Sequence, residues 1–182
     1  MNIFLLDNDP NLSAKYHCDK HVVKMSLEYS QIICTAVRSL NIPAYSRDLP
    51  YKSTHEKHPC VLWAKETIEN LEYLIYLALC TWKEYRYRYR KTHKCWTALE
   101  DTDFVRTKFI SFSCRSKPNY AIYEDLVFGK NHESFGMTMP ALAMPDEYKV
   151  KNNPVDSYRN YYVQEKEHLH SWTKRDKPPF IL

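Results

Sequence analysis

Apolar and polar residues alternate with a helical period along the first forty residues. Between residues 9 and 40, apolar side chains cover a wide arc, and polar ones are confined to one line with spacings of three and four. This line, called the polar stripe below, consists of His17, His21, Lys24, Glu28, Gln31, Thr35 and Arg38. The pattern predicts one long helix over about 9–40 that is buried except along the stripe.

The same period recurs twice more. Apolar residues repeat at three and four from Val61 to Tyr89, which predicts a second long helix over about 59–92 without a sharp kink, since it contains no glycine or proline. A weaker helix is predicted over 95–116. Asn153 and Pro154 have the residue types of a helix start, and a C-terminal helix is predicted over about 154–172. We therefore expect a mainly α-helical bundle, a single domain over 1–182, with residues 173–182 as a mobile basic tail.

Composition narrows the possible functions. The chain has only two glycines and lacks both glycine-rich phosphate-binding motifs, which argues against nucleotide-triphosphate and dinucleotide enzymes of those classes. Its six cysteines form no C-x-x-C pair, and no apolar stretch is long enough for a membrane span. These features indicate free thiols in a reducing cytoplasm and no membrane partner.

Cations and tyrosines alternate at the end of the second predicted helix. Residues 83–94 carry six positive charges against Glu84 alone, within a chain of net charge +4. Basic groups interleaved with aromatic rings are typical of surfaces that contact phosphates and unstacked bases. The alternative is a solvated helix end whose cations complement the helix dipole. The candidate nucleic-acid-binding residues are Tyr85, Arg86, Arg88, Tyr89, Arg90, Lys91, Lys94 and, from the last helix, Arg159.

The polar stripe begins with groups that can carry acid–base or nucleophilic chemistry. The candidate catalytic residues are His17, His21, Lys24 and Glu28, with Asp7 facing the same cleft. Lys24 could act as an amine nucleophile on a sugar carbonyl, and Glu28 could stabilise an oxocarbenium-like centre. The alternative is the thin wet edge of a bundle helix, with Lys24 and Glu28 as an ordinary helical ion pair.

A metal site is the less favoured interpretation of the same histidines. His17 and His21 have the i,i+4 spacing that lets two imidazoles reach one ion. Four other histidines could supply a third ligand: His55, His58, His93 and His132. Because Lys20 and Lys24 flank the pair, their charge opposes a cation. We therefore expect metal-independent chemistry without a cofactor.

Several stretches resemble an uncharacterised family of small proteins from tailed bacteriophages. They are LDNDPNLSAKYHCDKHVVKMSLEYSQII, THEKHPCVLWAKETIENLEYLIYLAL, EYRYRYRKTHK, AMPDEYK and PVDSYRNYYVQEKEHLHSW. The match covers most of the chain in order, apart from about 95–135, and implies a phage setting. A much weaker similarity is to the phage pyrimidine-dimer DNA glycosylases, which are small, all-α and basic. That similarity implies an N-terminal amine as nucleophile, with His17 and Glu28 in the roles of the family's histidine and acidic catalytic residue.

Together these features predict a phage-encoded protein that processes nucleic acid, with DNA favoured, in the host cytoplasm. The predicted activity is glycosylase-like or base-modifying, with the stripe facing a flipped-out base. Two alternatives remain: a non-enzymatic module that binds nucleic acid or a host protein, and an enzyme for a small nucleotide. The oligomeric state is left open. A stripe on a convex exposed face would contradict the enzyme interpretation, and a stripe lining a concave pocket would favour it.

Overall fold

The structure, a computed structural model, describes residues 1–40, 46–100, 102 and 136–181. Over these ranges the chain is mainly helical and forms no β-strand, which confirms the predicted fold class. The α-helices are α1 (Pro10–Tyr16), α2 (Asp19–Ser39), α3 (Pro59–Glu66), α4 (Ile68–Tyr89), α5 (Lys94–Glu100) and α6 (Pro154–Glu165). Two single 3₁₀ turns, Asp146–Tyr148 and Glu167–Leu169, flank α6. No helix within the described ranges is long and apolar enough to cross a membrane.

The first predicted helix is two helices, so the prediction of one helix over 9–40 is wrong. Helix α1 starts with Asp9 as N-cap and Pro10 in the first position. His17 and Cys18 then adopt extended backbone angles that end α1 and begin α2. The amide of Cys18 donates to the Tyr162 hydroxyl (2.7 Å) and the amide of Asp19 to the Ser171 carbonyl (2.8 Å). Distant segments therefore satisfy the amides that the break leaves unpaired.

The second predicted helix is also interrupted, at Thr67, where we expected no kink. Thr67 has extended angles and caps α4, since its hydroxyl accepts the amide hydrogen of Asn70 (3.1 Å). The buried Asn70 side chain donates to the Trp63 carbonyl (2.7 Å) and the Thr138 hydroxyl (2.7 Å), and accepts from the Thr138 amide (2.9 Å). Asn70 thus closes the end of α3 and fixes the segment that contains Thr138.

The C-terminal part of the chain contains less helix than predicted. Helix α6 ends at Glu165 rather than near 172, and α5 corresponds to the start of the helix predicted over 95–116, most of whose remainder lies outside the described residues. Residues 173–181 lie against the start of α2 and the end of α4. There the Thr173 amide donates to Asp19, and Arg175 donates twice to Glu84.

The core is organised around the N-terminal segment, residues 2–6, which is almost completely buried. Helix α2 packs on α4 and on α3, and α1 packs on α4. Phe4 turns the segment with a left-handed φ of 46° and packs against rings of α2 and α6. The largest fully buried side chains include Trp82 and the tyrosines Tyr29, Tyr158 and Tyr162. The hydroxyls of these tyrosines find partners inside the core, as buried polar groups require.

Replacing Asn70 with alanine tests the junction between α3 and α4. The Asn70→Ala variant would leave the Trp63 carbonyl and the Thr138 amide without their partner, so we expect unfolding free energy to fall by about 2–3 kcal/mol. Urea denaturation followed by circular dichroism measures this change. Asn160→Ala, at an exposed position of α6, is the control and should change stability by less than about 0.5 kcal/mol. Equal stability of the two variants would contradict this role of Asn70.

Candidate active site and nucleic-acid interface

The polar stripe of α2 does not face solvent as one line. Along α2, side chains of the polar stripe form hydrogen bonds with non-helical segments of the chain. Glu28 binds the N-terminal segment, Thr35 exchanges hydrogen bonds with Thr54, and Arg38 donates to three carbonyls between residues 46 and 51. The apolar residues Val23 and Leu27, expected to be buried, are instead 43% and 40% exposed. The stripe is therefore largely a polar contact line inside the fold.

His17 is separated from the rest of the stripe by the break between α1 and α2. It is completely buried, with Nδ1 2.6 Å from the Ser13 carbonyl and Nε2 2.9 Å from the Tyr29 hydroxyl. The Tyr29 hydroxyl in turn donates to the Ile3 carbonyl. Burial lowers the pKa of His17 to about 4. In this position His17 ties α1 to the N-terminal segment and is closed to any substrate.

His21 is also buried, and it is hydrogen-bonded to α6. The Tyr162 hydroxyl accepts the Cys18 amide hydrogen, and its oxygen lies 2.8 Å from His21 Nδ1. Burial, reinforced by the charges of neighbouring residues, lowers the pKa of His21 to about 3. Its ring stacks on Phe4 at 4.5 Å, which makes it part of the aromatic core.

Glu28 is the stripe residue that meets the start of the chain. Its Oε2 accepts a hydrogen bond from the backbone nitrogen of Asn2 (2.9 Å), and its Oε1 lies 3.4 Å from Lys24 Nζ. The Glu28 side chain is 13% exposed, whereas Lys24 is 68% exposed. The side-chain amide of Asn2 donates a hydrogen bond to the Ala143 carbonyl (3.0 Å), which fixes this residue in place. A carboxylate and a backbone nitrogen are thus held together beside an accessible amine.

Residue 2 is the component of this site that sequence patterning missed. The stripe residues were found from helical spacing, but Asn2 reaches Glu28 across 26 residues because the N-terminal segment threads between helices. No spacing rule relates the two positions. The resemblance to glycosylases that use an N-terminal amine was the one signal that pointed to the chain start.

Asp7 lies apart from Glu28. Its Oδ2 accepts a hydrogen bond from Arg159 Nη2 (2.9 Å), and Arg159 Nε donates to the Leu6 carbonyl (2.8 Å). Asp7 and Arg159 line a cavity of about 400 Å³ that does not include Glu28, and a second cavity, of about 740 Å³ beside Trp63, does not include it either. Arg159 also lies over the Phe180 ring. Its hydrogen bonds connect α6 to the N-terminal segment, and its candidate role in binding nucleic acid stays a prediction.

The basic end of α4 divides into an exposed set and a buried residue. The exposed set, called the basic patch below, consists of Lys83, Arg86, Arg90, Lys91 and Lys94. Tyr85 and Tyr89 are half-buried and lie side by side with ring centres 4.8 Å apart. Arg90 ends the helix in a left-handed conformation. The patch is therefore an accessible positive surface with aromatic rings beside it, as predicted.

Arg88 does not belong to this surface, so its assignment as a nucleic-acid-binding residue is wrong. It is 2% exposed and donates to Glu84 (2.7 Å), Asp19 (3.0 Å) and the Lys15 carbonyl (2.9 Å). Arg175 from the tail completes the pairing of Glu84, and its guanidinium is 4.1 Å from the Tyr87 ring centre. Hydrogen bonding to Arg175 and Arg88 lowers the pKa of the Glu84 carboxyl despite its burial.

The basic patch and the Glu28 site are connected through α2. The Tyr89 hydroxyl donates to the Asp19 carbonyl (3.1 Å) at the beginning of α2. Glu28 lies nine residues further along, a rise of about 14 Å. That distance corresponds to about four base pairs of a duplex. The exposed Lys20 and Lys24 continue the positive charge along α2 between the two ends.

The histidines do not assemble a metal site in the part of the chain that the structure describes. Within those residues, no three His, Cys, Asp or Glu side chains lie close enough to hold an ion. His17 and His21 each have a separate core partner, and their rings are 6.5 Å apart. His132, one of the four alternative ligands, lies outside the described residues.

The N-terminal half of the chain matches a known protein family. The profile of the family described as pyrimidine dimer DNA glycosylase matches residues 1–97, more than half of the 182-residue chain. The chain belongs to the pyrimidine dimer DNA glycosylase family. The matched range contains Glu28, Asn2 and the basic patch, whereas α6 and the tail lie beyond it. No curated protein and no solved structure matches the chain.

Membership of the pyrimidine dimer DNA glycosylase family makes DNA the implied substrate. The weaker similarity inferred from the sequence is thereby confirmed at the level of the family. His17, which we had matched to the family's histidine, is buried in a different segment from Glu28. His21 shares helix α2 with Glu28, two turns before it, but its side chain is buried against Tyr162 and Phe4.

The buried neutral His21 predicts a loss of stability in weak acid. Its folded-state pKa is about 3 against about 6.5 unfolded, so between these values the unfolded chain binds a proton that the folded chain does not. Unfolding free energy should fall as pH drops below 6.5, by up to about 1.4 kcal/mol per pH unit from this residue. A His21→Gln variant, whose amide oxygen can still accept from Tyr162, should have a correspondingly smaller slope. Urea unfolding from pH 6.5 to 5 measures both slopes, and identical slopes would contradict the assignment.

Proposed function

We propose that the protein removes damaged pyrimidines from DNA by cleaving the glycosidic bond with an amine nucleophile beside Glu28. One observation carries the proposal: the backbone nitrogen of residue 2 lies 2.9 Å from a Glu28 oxygen. In a mature chain that begins at residue 2, this nitrogen is the terminal amine; in one that begins at Met1, the terminal amine is one residue away from it. The family description supplies the substrate class, pyrimidine dimers.

The chemistry follows from these groups. The amine lone pair forms a bond to C1′ of the deoxyribose while the bond from C1′ to the base breaks, and the base leaves with the bonding electrons. The two hydrogens of the neutral amine end on the base and on the ring oxygen O4′ as the sugar opens to an imine. Glu28 accepts a proton from the amine, and its negative charge stabilises the positive charge that develops at C1′.

Two amines compete for the role of nucleophile. The first is the terminal amine, because the backbone nitrogen of residue 2 contacts Glu28. The resemblance to the glycosylases also implies a terminal amine as nucleophile. The large side chain of Asn2 disfavours removal of Met1, so the amine of Met1 is the first candidate. Lys24 Nζ, 3.4 Å from Glu28 and largely exposed, is the second. Both candidates give an imine at the same sugar carbon, and they differ in which peptide carries it.

DNA binding is assigned to the basic patch and the exposed face of α2. Lys20 and Lys24 lie between the patch and Glu28, so a duplex along α2 would place phosphates beside each. The target nucleotide would be flipped out towards Glu28, since the reacting carbon is inaccessible inside a duplex.

We also propose a bacteriophage origin and action in the host cytoplasm. The free, buried thiols of the five described cysteines support a reducing compartment.

A non-enzymatic DNA-binding module is the second candidate. The burial of His17 and His21 favours it, because two of the predicted catalytic groups are removed from the surface. This candidate needs the basic patch but gives no role to the contact between Asn2 and Glu28.

Substitution of one exposed and one buried arginine tests the interface. Arg86→Gln should weaken binding to duplex DNA several-fold and reduce the salt slope by about 1, with little effect on stability. Arg88→Gln should destabilise the fold by about 3–5 kcal/mol, because Glu84 and Asp19 lose a buried partner. Fluorescence anisotropy over a salt series and urea unfolding give the two readouts. Unchanged affinity and salt slope in Arg86→Gln would remove the patch from the interface.

Borohydride trapping tests the chemistry. Borohydride reduces the imine to a stable amine, so wild-type protein should form a covalent adduct with duplex DNA that contains a pyrimidine dimer, and none with undamaged duplex. Glu28→Gln should lower adduct formation at least 100-fold while DNA binding is retained. Glu56→Gln, an exposed carboxylate, is the control and should behave as wild type.

Mass spectrometry of the trapped adduct separates the mechanisms. Modification of the terminal peptide supports the terminal amine, and modification at Lys24 supports the lysine; intact mass beforehand establishes which residue begins the mature chain. Binding of damaged DNA without adduct or cleavage would overturn the proposal in favour of the binding module. Cleavage of free pyrimidine nucleotides but not of DNA would instead favour the small-nucleotide enzyme.

A further inference from the structure

The Asn2 side chain holds the start of the chain through two hydrogen bonds. Its Oδ1 accepts from the Ile3 backbone nitrogen (2.8 Å), and its Nδ2 donates to the Ala143 carbonyl (3.0 Å). Asn2 is 8% exposed, and both ends of its buried amide have a partner. The same residue places its backbone nitrogen 2.9 Å from Glu28 Oε2. These bonds, called the Asn2 clamp below, join the chain start to α2 and to the segment that contains Ala143.

The segment at the far end of the clamp is itself anchored to α6. Two residues before Ala143, the Ala141 carbonyl accepts a hydrogen bond from the Tyr158 hydroxyl (2.6 Å), and Tyr158 is completely buried. A continuous series of hydrogen bonds and peptide bonds therefore runs from α6 through this segment and Asn2 to Glu28. Because both ends of the series lie on helices that pack in the core, the chain start is fixed relative to Glu28.

Part of this series lies beyond the range that the family profile matches. Asn2 and Glu28 fall within residues 1–97, whereas Ala143 and Tyr158 follow that range. The clamp therefore depends on a segment and a helix from the C-terminal part of this chain. Both parts of the chain together set the direction in which the chain start points.

We propose that Asn2 is a positioning residue of the glycosylase site, whose clamp directs the terminal amine towards C1′ of the target nucleotide beside Glu28. This inference rests on the proposed glycosylase function. Since the Asn2 side chain is buried, it acts through the direction of the amine and not through contact with DNA. A reacting group that is misplaced by about 1 Å can lose on the order of 100-fold in rate, so such a clamp has a measurable effect.

The Asn2→Asp substitution tests the clamp with little change in shape. It removes the donor to the Ala143 carbonyl and keeps an acceptor for the Ile3 amide. The substituted residue is still large enough to disfavour removal of Met1, and intact mass verifies that the terminal residue is unchanged. At about pH 8, where a carboxyl is ionised, the single-turnover rate on dimer-containing duplex with saturating protein should fall about 100-fold. Asn160→Asp adds the same charge at an exposed position of α6 and should keep the wild-type rate.

The pH profile distinguishes positioning from general support of the fold. Burial and the adjacent Ala143 carbonyl favour the neutral form of the introduced carboxyl and so raise its pKa. Once protonated, this carboxyl can donate to the carbonyl as Asn2 does. The ratio of the Asn2→Asp rate to the wild-type rate should therefore rise as the pH is lowered from about 8 to about 5.5, while circular dichroism verifies that both proteins stay folded. A constant ratio would overturn the role of this hydrogen bond.

Asn2→Gln is the second variant, and it provides the test if Asn2→Asp does not fold. It keeps a donor and an acceptor, disfavours removal of Met1 and adds no charge, but its amide lies one methylene further from the backbone. Its single-turnover rate should fall about tenfold at an unchanged dissociation constant for DNA, because a misdirected amine affects the reaction and not the binding. A wild-type rate in folded Asn2→Gln would overturn the inference while the glycosylase function stands. A borohydride adduct at Lys24 of the wild type would have the same meaning.

Hydrogen exchange tests the clamp without turnover. In nitrogen-15 spectra, the side-chain amide hydrogens of Asn2 should exchange with solvent at least about tenfold more slowly than those of the exposed Asn160, because the Asn2 amide is bonded to Ala143 inside the protein. Equal exchange rates would overturn the clamp whatever the activity. Absence of any borohydride adduct in the wild type would instead overturn the glycosylase function, even where slow exchange shows an intact clamp.

Discussion

The fold depends on polar side chains that satisfy the backbone where helices stop. Two helical patterns of the chain are each cut by one or two extended residues, at His17–Cys18 and at Thr67. Each cut leaves amides and carbonyls that would be costly inside the core. Tyr162 accepts from the Cys18 amide across 144 residues, and Asn70 donates to the Trp63 carbonyl across seven. The helices on either side of each cut then follow different directions around the buried N-terminal segment.

The same requirement explains why the polar stripe has more than one role. Several of its members connect α2 to other parts of the chain. Arg38 and Thr35 form hydrogen bonds with the loop after α2, and His21 forms one with Tyr162 of α6. Burial makes the histidines poor proton carriers at neutral pH, since their pKa values are low. Glu28 differs because its partner is the start of the chain and an accessible lysine lies next to it. The proposed chemistry and the architecture therefore use one helix face.

Local signals were sufficient for the helix starts. Asp9-Pro10, His58-Pro59 and Asn153-Pro154 each place a cap and a proline in adjacent positions, and α1, α3 and α6 begin there. The break at His17–Cys18 could not be predicted from local signals, because the residue that satisfies the Cys18 amide, Tyr162, is 144 positions away. The break at Thr67 has a local cap, since Asn70 is three residues from Thr67 and seven from Trp63, but helical periodicity does not detect it. Periodicity also misplaced Arg88, since a helical repeat gives the face of a side chain but not the partner that covers it. Its guanidinium is covered by residues of α1, α2 and α4.

The location of Asn2 against Glu28 has a practical consequence for how the protein is produced. An affinity tag placed before residue 1 would extend the polypeptide from beside this carboxylate and would convert the amine of Met1, a proposed nucleophile, into an amide. A tag after the last residue extends from a segment whose Arg175 neutralises Glu84. Recombinant protein is therefore best prepared with a cleavable N-terminal fusion that leaves no additional residue.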